Sequence, residues 1–214
     1  MKIRSKEDCI NRIEQDLAWR KKELTSLNID VQSASEKLLP KALRCASVML
    51  YAHWEGFVKN STQYYLNYVK YQGLSLNQVN TSILALSLKQ RLSQFEETNK
   101  ATLHVQFLDY VQSGLSDKVD FSDTYSIRTG SNLNSNILKE IYATVGLDVS
   151  YYELRFKLID QQLLKNRNDI AHGSEPPLNK SDYNHLHREI VEMIDHVRTD
   201  LCNAVSTGLF RKQP

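Results

Sequence analysis

The sequence predicts an all-α helical bundle, and three observations carry that prediction. Apolar side chains recur three and four residues apart along one stretch after another. Glycine and proline, which disfavour helix interiors, number only 7 and 4 in 214 residues. No internal repeat, low-complexity block or long linker parts the chain, so the helices have only one another to pack against.

A first helix is expected over residues 5–29, with Ile10, Ile13, Leu17, Leu24 and Leu27 on one face and fraying near Asn28. The second is the longest, over residues 34–71. Leu38, Leu39, Ala42, Leu43, Ala46, Met49, Leu50, Trp54, Phe57 and Val58 hold the helical spacing there. Ser35 is its candidate cap, Pro40 falls in the first turns where a helix tolerates it, and Gly73 lies beyond its end. Residues 82–95, with Ile83, Leu84, Leu86, Leu88 and Leu92, make a third helix, and residues 103–111 a fourth.

Gly, Ser and Asp crowd residues 114–131, which read as a loop with room for a short extended stretch. Asn134 or Ser135 then opens a helix that runs to Val145 and closes on Gly146. Residues 151–171 read as one amphipathic helix bearing Leu154, Phe156, Leu158, Ile159, Leu163, Leu164 and Ile170. His172-Gly173 and Pro176-Pro177 break it. Ser181 would cap the last helix, 182–206, whose buried stripe runs from Tyr183 to Val205. The expected organisation is an N-terminal helix and candidate extension (1–30), a helical domain (31–207) and a tail (208–214).

Composition sets limits on function. A net charge of +2 lacks the strong basic excess of a protein that coats nucleic acid, so an RNA or DNA partner must meet a local patch. The three cysteines, Cys9, Cys45 and Cys202, are odd in number and not at metal-ligand spacing; Cys45 and Cys202 read as small core residues. His185 and His187, two apart on a helix, point to different faces and make a poor metal pair. No metal or cofactor is expected. The charged N-terminus holds no apolar leader and no stretch approaches the roughly 20 apolar residues of a membrane span, which leads us to expect a cytoplasmic protein with no membrane partner.

The chemistry is concentrated in Lys165-Asn166-Arg167-Asn168-Asp169-Ile170-Ala171-His172-Gly173. Asn168 and His172 are four apart and share a helix face, so the amide is placed to orient the imidazole. In an unbroken helix Arg167 and His172 would point about 140° apart; a helix ending at Ala171 would free His172 from that geometry, and Gly173 permits the exit. The same residues fit a plain helix end, because cations are favoured in the last turn.

The stretch resembles the signature of the HEPN superfamily: an Arg, a polar residue directly after it, and a His a few residues on, before a Pro-containing loop and a final helix. Leu50-Tyr51-Ala52-His53-Trp54-Glu55-Gly56-Phe57-Val58-Lys59 is similar to the corresponding long helix of stand-alone bacterial HEPN proteins, as is Thr129–Asn134 leading into the helix that Gly146 closes. The resemblance spans about residues 35–205. It implies a metal-independent endoribonuclease, a toxin or antiviral effector, working as a homodimer whose two motifs face one cleft. It assigns catalysis to Arg167, His172 and Asn168, support to Glu55 and Asp169, and candidate RNA contacts to Arg44 and Lys165. A non-catalytic nucleotide-binding or scaffolding module is the alternative.

Several assignments have two readings. Glu55 either points at the motif and positions Arg167 or pairs with Lys59 one turn on. Arg44 lies eleven residues before Glu55, on roughly the same face, either for RNA or for solvent. Tyr64, Tyr65, Tyr68 and Tyr71 suit a core or a dimer interface better than a stacking surface, and His53 suits helix packing. Family toxins held by a nucleotidyltransferase antitoxin often carry a Tyr two residues after the His; Ser174 stands there, which argues against that control while leaving room for another antitoxin or defence partner.

Overall fold

A computed structural model describes residues 2–96, 100–121 and 127–213. The chain is all-α: α1 (Lys6–Ser33), α2 (Leu39–Lys70), α3 (Thr81–Glu96), α4 (Ala101–Ser113), α5 (Ser135–Val145), α6 (Ser150–Glu153), α7 (Lys165–Ala171) and α8 (Lys180–Thr207). A π-helical stretch, Leu158–Leu164, runs directly into α7. Among the described residues β-type pairing is limited to two isolated bridges, Ser75 with Lys118 and Val79 with Arg211. The first is the short extended stretch expected in the loop; residues 122–126 of that loop lie outside the described residues, as do the side chain of Leu92 and residues Met1 and Pro214.

The element boundaries follow their caps. Ser5 opens α1 by accepting the Asp8 N–H, and α1 runs on to Ser33, past the fraying point expected at Asn28. α2 starts at Leu39 and not at Ser35, whose carbonyl instead accepts the N–H groups of Leu38 and Leu39 in a preceding turn. Asn134 caps α5 and Gly146 closes it in the left-handed region at φ 73°. Asn179, not Ser181, caps α8 by accepting the Asp182 N–H.

The helix expected over 151–171 is broken after α6. Tyr152 takes the buried position against Trp54 and Tyr142, the chain turns, and Leu154 is left 93% exposed. The C-terminal residues expected as a tail are docked. Phe210 is buried edge-on to Tyr65 and Tyr68, its carbonyl accepts the Asn80 N–H, and Lys212 donates to Gln78. Cysteine placement also differs: Cys9 is the buried one, Cys202 is half-buried and Cys45 is exposed.

α1, α2 and α8 form the main layer of the bundle. α1 contributes Cys9, Ile13, Leu17, Leu24 and Val31 to the same core as Leu50, Trp54 and Phe57 of α2 and Ile190, Met193 and Ile194 of α8. The α1–α2 contact is partly ionic. Arg20 and Asp16 are 5% and 7% exposed and pair at 2.9 Å, and Arg20 also reaches the His53 carbonyl. The Arg20 guanidinium lies over the α2 backbone at Gly56, where an added Cβ would sit 2.7 Å from its Nη1. Gly56 is therefore a packing requirement of α1. Beside it, His53 is buried, 3.0 Å from Glu23 and edge-on to Trp19, which makes it the packing residue expected.

Two outcomes follow. Asp16→Ala leaves Arg20 buried without its carboxylate and should cost about 3–5 kcal/mol in urea unfolding, whereas the apolar double variant Asp16→Leu/Arg20→Met should recover most of that loss. His53 and His187 are both held below the usual imidazole range by burial. The folded state thus binds fewer protons than the unfolded one below the unfolded value of about 6.5. Their contribution is full above that pH and is lost as pH falls below it. A His53→Gln/His187→Gln variant should show a smaller drop in unfolding midpoint than the parent between pH 7.5 and 5.5.

Candidate active site

α7 is seated against one face of α2. Arg44, Val48, Tyr51 and Glu55 are spaced four, three and four apart, which lines them up along that face. Arg167 places its guanidinium 5.1 Å from the centre of the Tyr51 ring, a cation–π contact on a half-exposed side chain. Its Nη1 donates to Asn168 Oδ1 at 2.7 Å. Asn168 Nδ2 in turn approaches Asn132 Oδ1 at 3.4 Å. The Asn168 amide thus fixes Arg167 and does not touch His172, contrary to the role its i,i+4 spacing suggested.

The segment before α5 closes this cluster from the other side. Tyr51 Oη accepts the backbone N–H of Leu133 at 2.6 Å, and Asp160 of the π-helical stretch accepts both the N–H and the hydroxyl of Ser135. Burial, and next the nearby Glu55 charge, push the Tyr51 phenol well above its ordinary value. Tyr51 therefore stays neutral and serves as a platform and an acceptor. Glu55 is half-buried beside it, with Oε1 lacking any hydrogen-bond partner among the described residues. Glu55 forms no ion pair with Arg167 or Lys59 among the described residues; it borders Arg167 through Tyr51.

His172 is the C-cap of α7 and is exposed. Gly173 follows at φ 83°; its N–H bonds the Ile170 carbonyl and the Ser174 N–H bonds the Asp169 carbonyl. This is the double closure of a Schellman motif. His172 itself keeps near-helical angles (φ −91°, ψ 10°) and its N–H still bonds Asn168. Its Cβ consequently follows the helix, and the roughly 140° divergence from Arg167 remains. The backbone leaves the helix only after the imidazole has been placed.

The other assigned residues scatter around this centre. Arg44 is tied to Glu175 in the loop after the motif, so it is not the freely solvated arginine of the sequence reading. Asp169 and Lys165 face away from Arg167 into a cleft toward the start of α8. His187 turns toward the Leu24 carbonyl while His185 meets Arg188, the divergence expected of them. Tyr65 and Tyr68 belong to the core. Among the described residues no cluster of His, Cys, Asp and Glu could hold a metal ion, and no helix is long and apolar enough to cross a membrane. Tyr51 and Asn132 stand within the segments that carry the sequence resemblance but were given no role there, and Asp160 was missed. The signals were the placement of Tyr51 one turn before Glu55 and that of Asn132 in the Thr129–Asn134 segment; Asp160 gave none.

Fold and motif together define a HEPN-type domain. A family model described as MAE_28990-like HEPN matches residues 10–209, nearly the whole chain, and the protein belongs to that family. No curated protein and no solved structure matches it.

Tyr51→Phe keeps the ring under Arg167 but strands the Leu133 N–H. It should cost about 1–3 kcal/mol of stability in denaturant unfolding, with the effect vanishing only if the segment before α5 detaches and rehydrates.

Proposed function

We propose that this protein is a metal-independent endoribonuclease, a toxin or antiviral effector, whose site is completed by a second copy of the chain. The reading is carried by one observation: Arg167, the residue suited to a phosphate, is held in place by Tyr51 and Asn168, five residues before an exposed His172 at the helix cap. In such a reaction the RNA 2′-oxygen attacks the adjacent phosphorus, the bond to the 5′-oxygen breaks, and a 2′,3′-cyclic phosphate and a 5′-hydroxyl result. His172 suits the proton transfers, because imidazole titrates near neutrality. Arg167 suits the charge gathering on the phosphoryl oxygens.

Within one chain Arg167 and His172 diverge around α7, and one imidazole is thin provision for two proton transfers. A two-fold dimer would bring Arg167 of one protomer toward His172 of the other. An open apolar groove of about 400 Å³ lies beside the motif, lined by Cys45, Val48, Met49 and Ile170 with Lys41 and Arg44 at its rim. We place the second copy there. The same divergence favours the second reading, a non-catalytic nucleotide- or RNA-binding or scaffolding module. Nothing in the site names an antitoxin, and Ser174, engaged by its backbone in the cap, offers no tyrosine for modification.

The test is cleavage of a mixed RNA pool in excess EDTA. The parent should leave 2′,3′-cyclic phosphate ends, and Arg167→Ala or His172→Ala should lower the rate about 100-fold or more. Absence of cleavage by a folded parent would favour the binding module. Light scattering should give twice the 24.7 kDa chain mass, falling to one chain in Met49→Glu. A monomer that cuts RNA at full rate would sink the composite site.

A further inference from the structure

A second cleft lies on the opposite side of α7 from Arg167, between α7, the Pro176-Pro177 loop and the first turns of α8. Its volume is about 460 Å³, and its lining includes Ser47, Lys165, Asn166, Asp169, Asp182 and Tyr183. Ligand pockets span about 300–1,000 Å³, which makes room here for a purine and some water. The wall entering α7 is the π-helical stretch, a deformation that recurs at functional sites.

The lining leaves polar groups for a ligand to meet. Tyr183 is only 3% exposed, and its buried hydroxyl has no hydrogen-bond partner among the described residues. That hydroxyl has almost no accessible surface, so Tyr183 borders the cleft through its ring and not through its hydroxyl. Lys165 and Asp169 are one turn apart on the same wall, yet among the described residues neither forms a side-chain hydrogen bond or ion pair, with the other or elsewhere. The titratable lining sets Lys165 and His185 against Asp169 and Asp182, a mixed surface that suits a group rich in both donors and acceptors.

We propose that this cleft binds a guanine base of the RNA strand that the neighbouring site would cut. The inference rests on the RNA reading above and gives it a sequence preference. Guanine presents two adjacent N–H donors on one edge, which suit the Asp169 carboxylate, and the O6 and N7 acceptors on another, which suit Lys165. Asn166 remains for its other polar atoms. Helix register supports the connection to the motif. His172 follows Lys165 by seven residues and Asp169 by three, so its Cβ lies on their side of α7, within about 60° of both. A base seated in the cleft thus leaves its sugar on the imidazole side.

Saturation-transfer NMR with the full chain and unphosphorylated nucleosides at millimolar concentration tests this without requiring cleavage. Guanosine should bind more strongly than adenosine, cytidine or uridine. Asp169→Asn and Lys165→Gln should each weaken guanosine at least tenfold while the thermal unfolding midpoint stays near that of the parent, and His172→Ala should retain guanosine. Equal binding of all four nucleosides, no guanosine signal, or undiminished binding in both cleft variants would overturn the proposal. So would markedly tighter binding of guanosine 5′-monophosphate than of guanosine, since that would make the phosphate the recognised group. Guanosine binding by a protein that cuts no RNA would retain the cleft and reject the nuclease; cleavage without guanosine binding would do the reverse.

Discussion

The fold depends on covering α2. A helix of 32 residues with apolar side chains around most of its circumference has to be covered on most sides; a narrow exposed stripe runs through Lys41, Cys45, Ala52 and Lys59, and each neighbour meets a different stripe of the rest. α1 lies against His53 and Gly56, α7 against Arg44, Val48, Tyr51 and Glu55, and α8 closes over Trp54 and Phe57. At Gly56 the Arg20 side chain of α1 approaches the helix backbone closely, with its charge answered by Asp16. A buried pair of this kind contributes little net stability beyond an apolar replacement, but it tolerates few alternative alignments. We regard it as the element that sets the register of α1 on α2, and hence the slot into which α8 and α7 fall.

The motif helix is short, only seven residues, and an isolated helix of that length would not persist in water. Both of its ends are secured locally. Upstream the π-helical stretch feeds it without a break, and Asp160 of that stretch captures the start of α5. Downstream the Schellman closure at Gly173 fixes where the backbone turns away. The site is therefore assembled from local constraints layered on one long helix, and Arg167 and His172 inherit directions that no flexible loop could give them.

The helices were legible because their information is periodic: the stripe of α8 from Tyr183 to Val205 is buried as its spacing required, and Asn134 and Gly146 bound α5 as their chemistry dictates. The break at Leu154 was not legible, since Tyr152 and Leu154 both offer an apolar side chain and only the ring contacts with Trp54 and Tyr142 decide between them. At the site, the segment and the terminal position of His172 could be read from the chain. The partner of Asn168 could not. Spacing put His172 within its reach on the same helix, but Arg167 is adjacent and, turned onto the Tyr51 ring, offers a charged donor, and a charged donor outcompetes a neutral one. Contacts made across sequence gaps of 36 and 82 residues, Asn168 with Asn132 and Tyr51 with Leu133, have no periodic trace at all.

Charge gives the last argument about what α7 is built to do. The chain carries only a small positive excess, and Arg44, the nearest arginine on α2, is already answered by Glu175. One chain thus sets Arg167, Lys41 at the groove beside it and Lys165 across α7 around the motif, without a broad basic field. A two-fold axis alongside Ile170 and Met49 would change this without altering the sequence, because it would double Arg167 and Lys41 within one cleft while leaving the acidic residues of the opposite wall on the outside. Under that arrangement the Arg167 side of α7 would meet phosphate, the Lys165–Asp169 side would meet an uncharged base, and His172 at the cap would lie where the two surfaces adjoin. A modest net charge on one chain would then accord with one electropositive site divided between two copies.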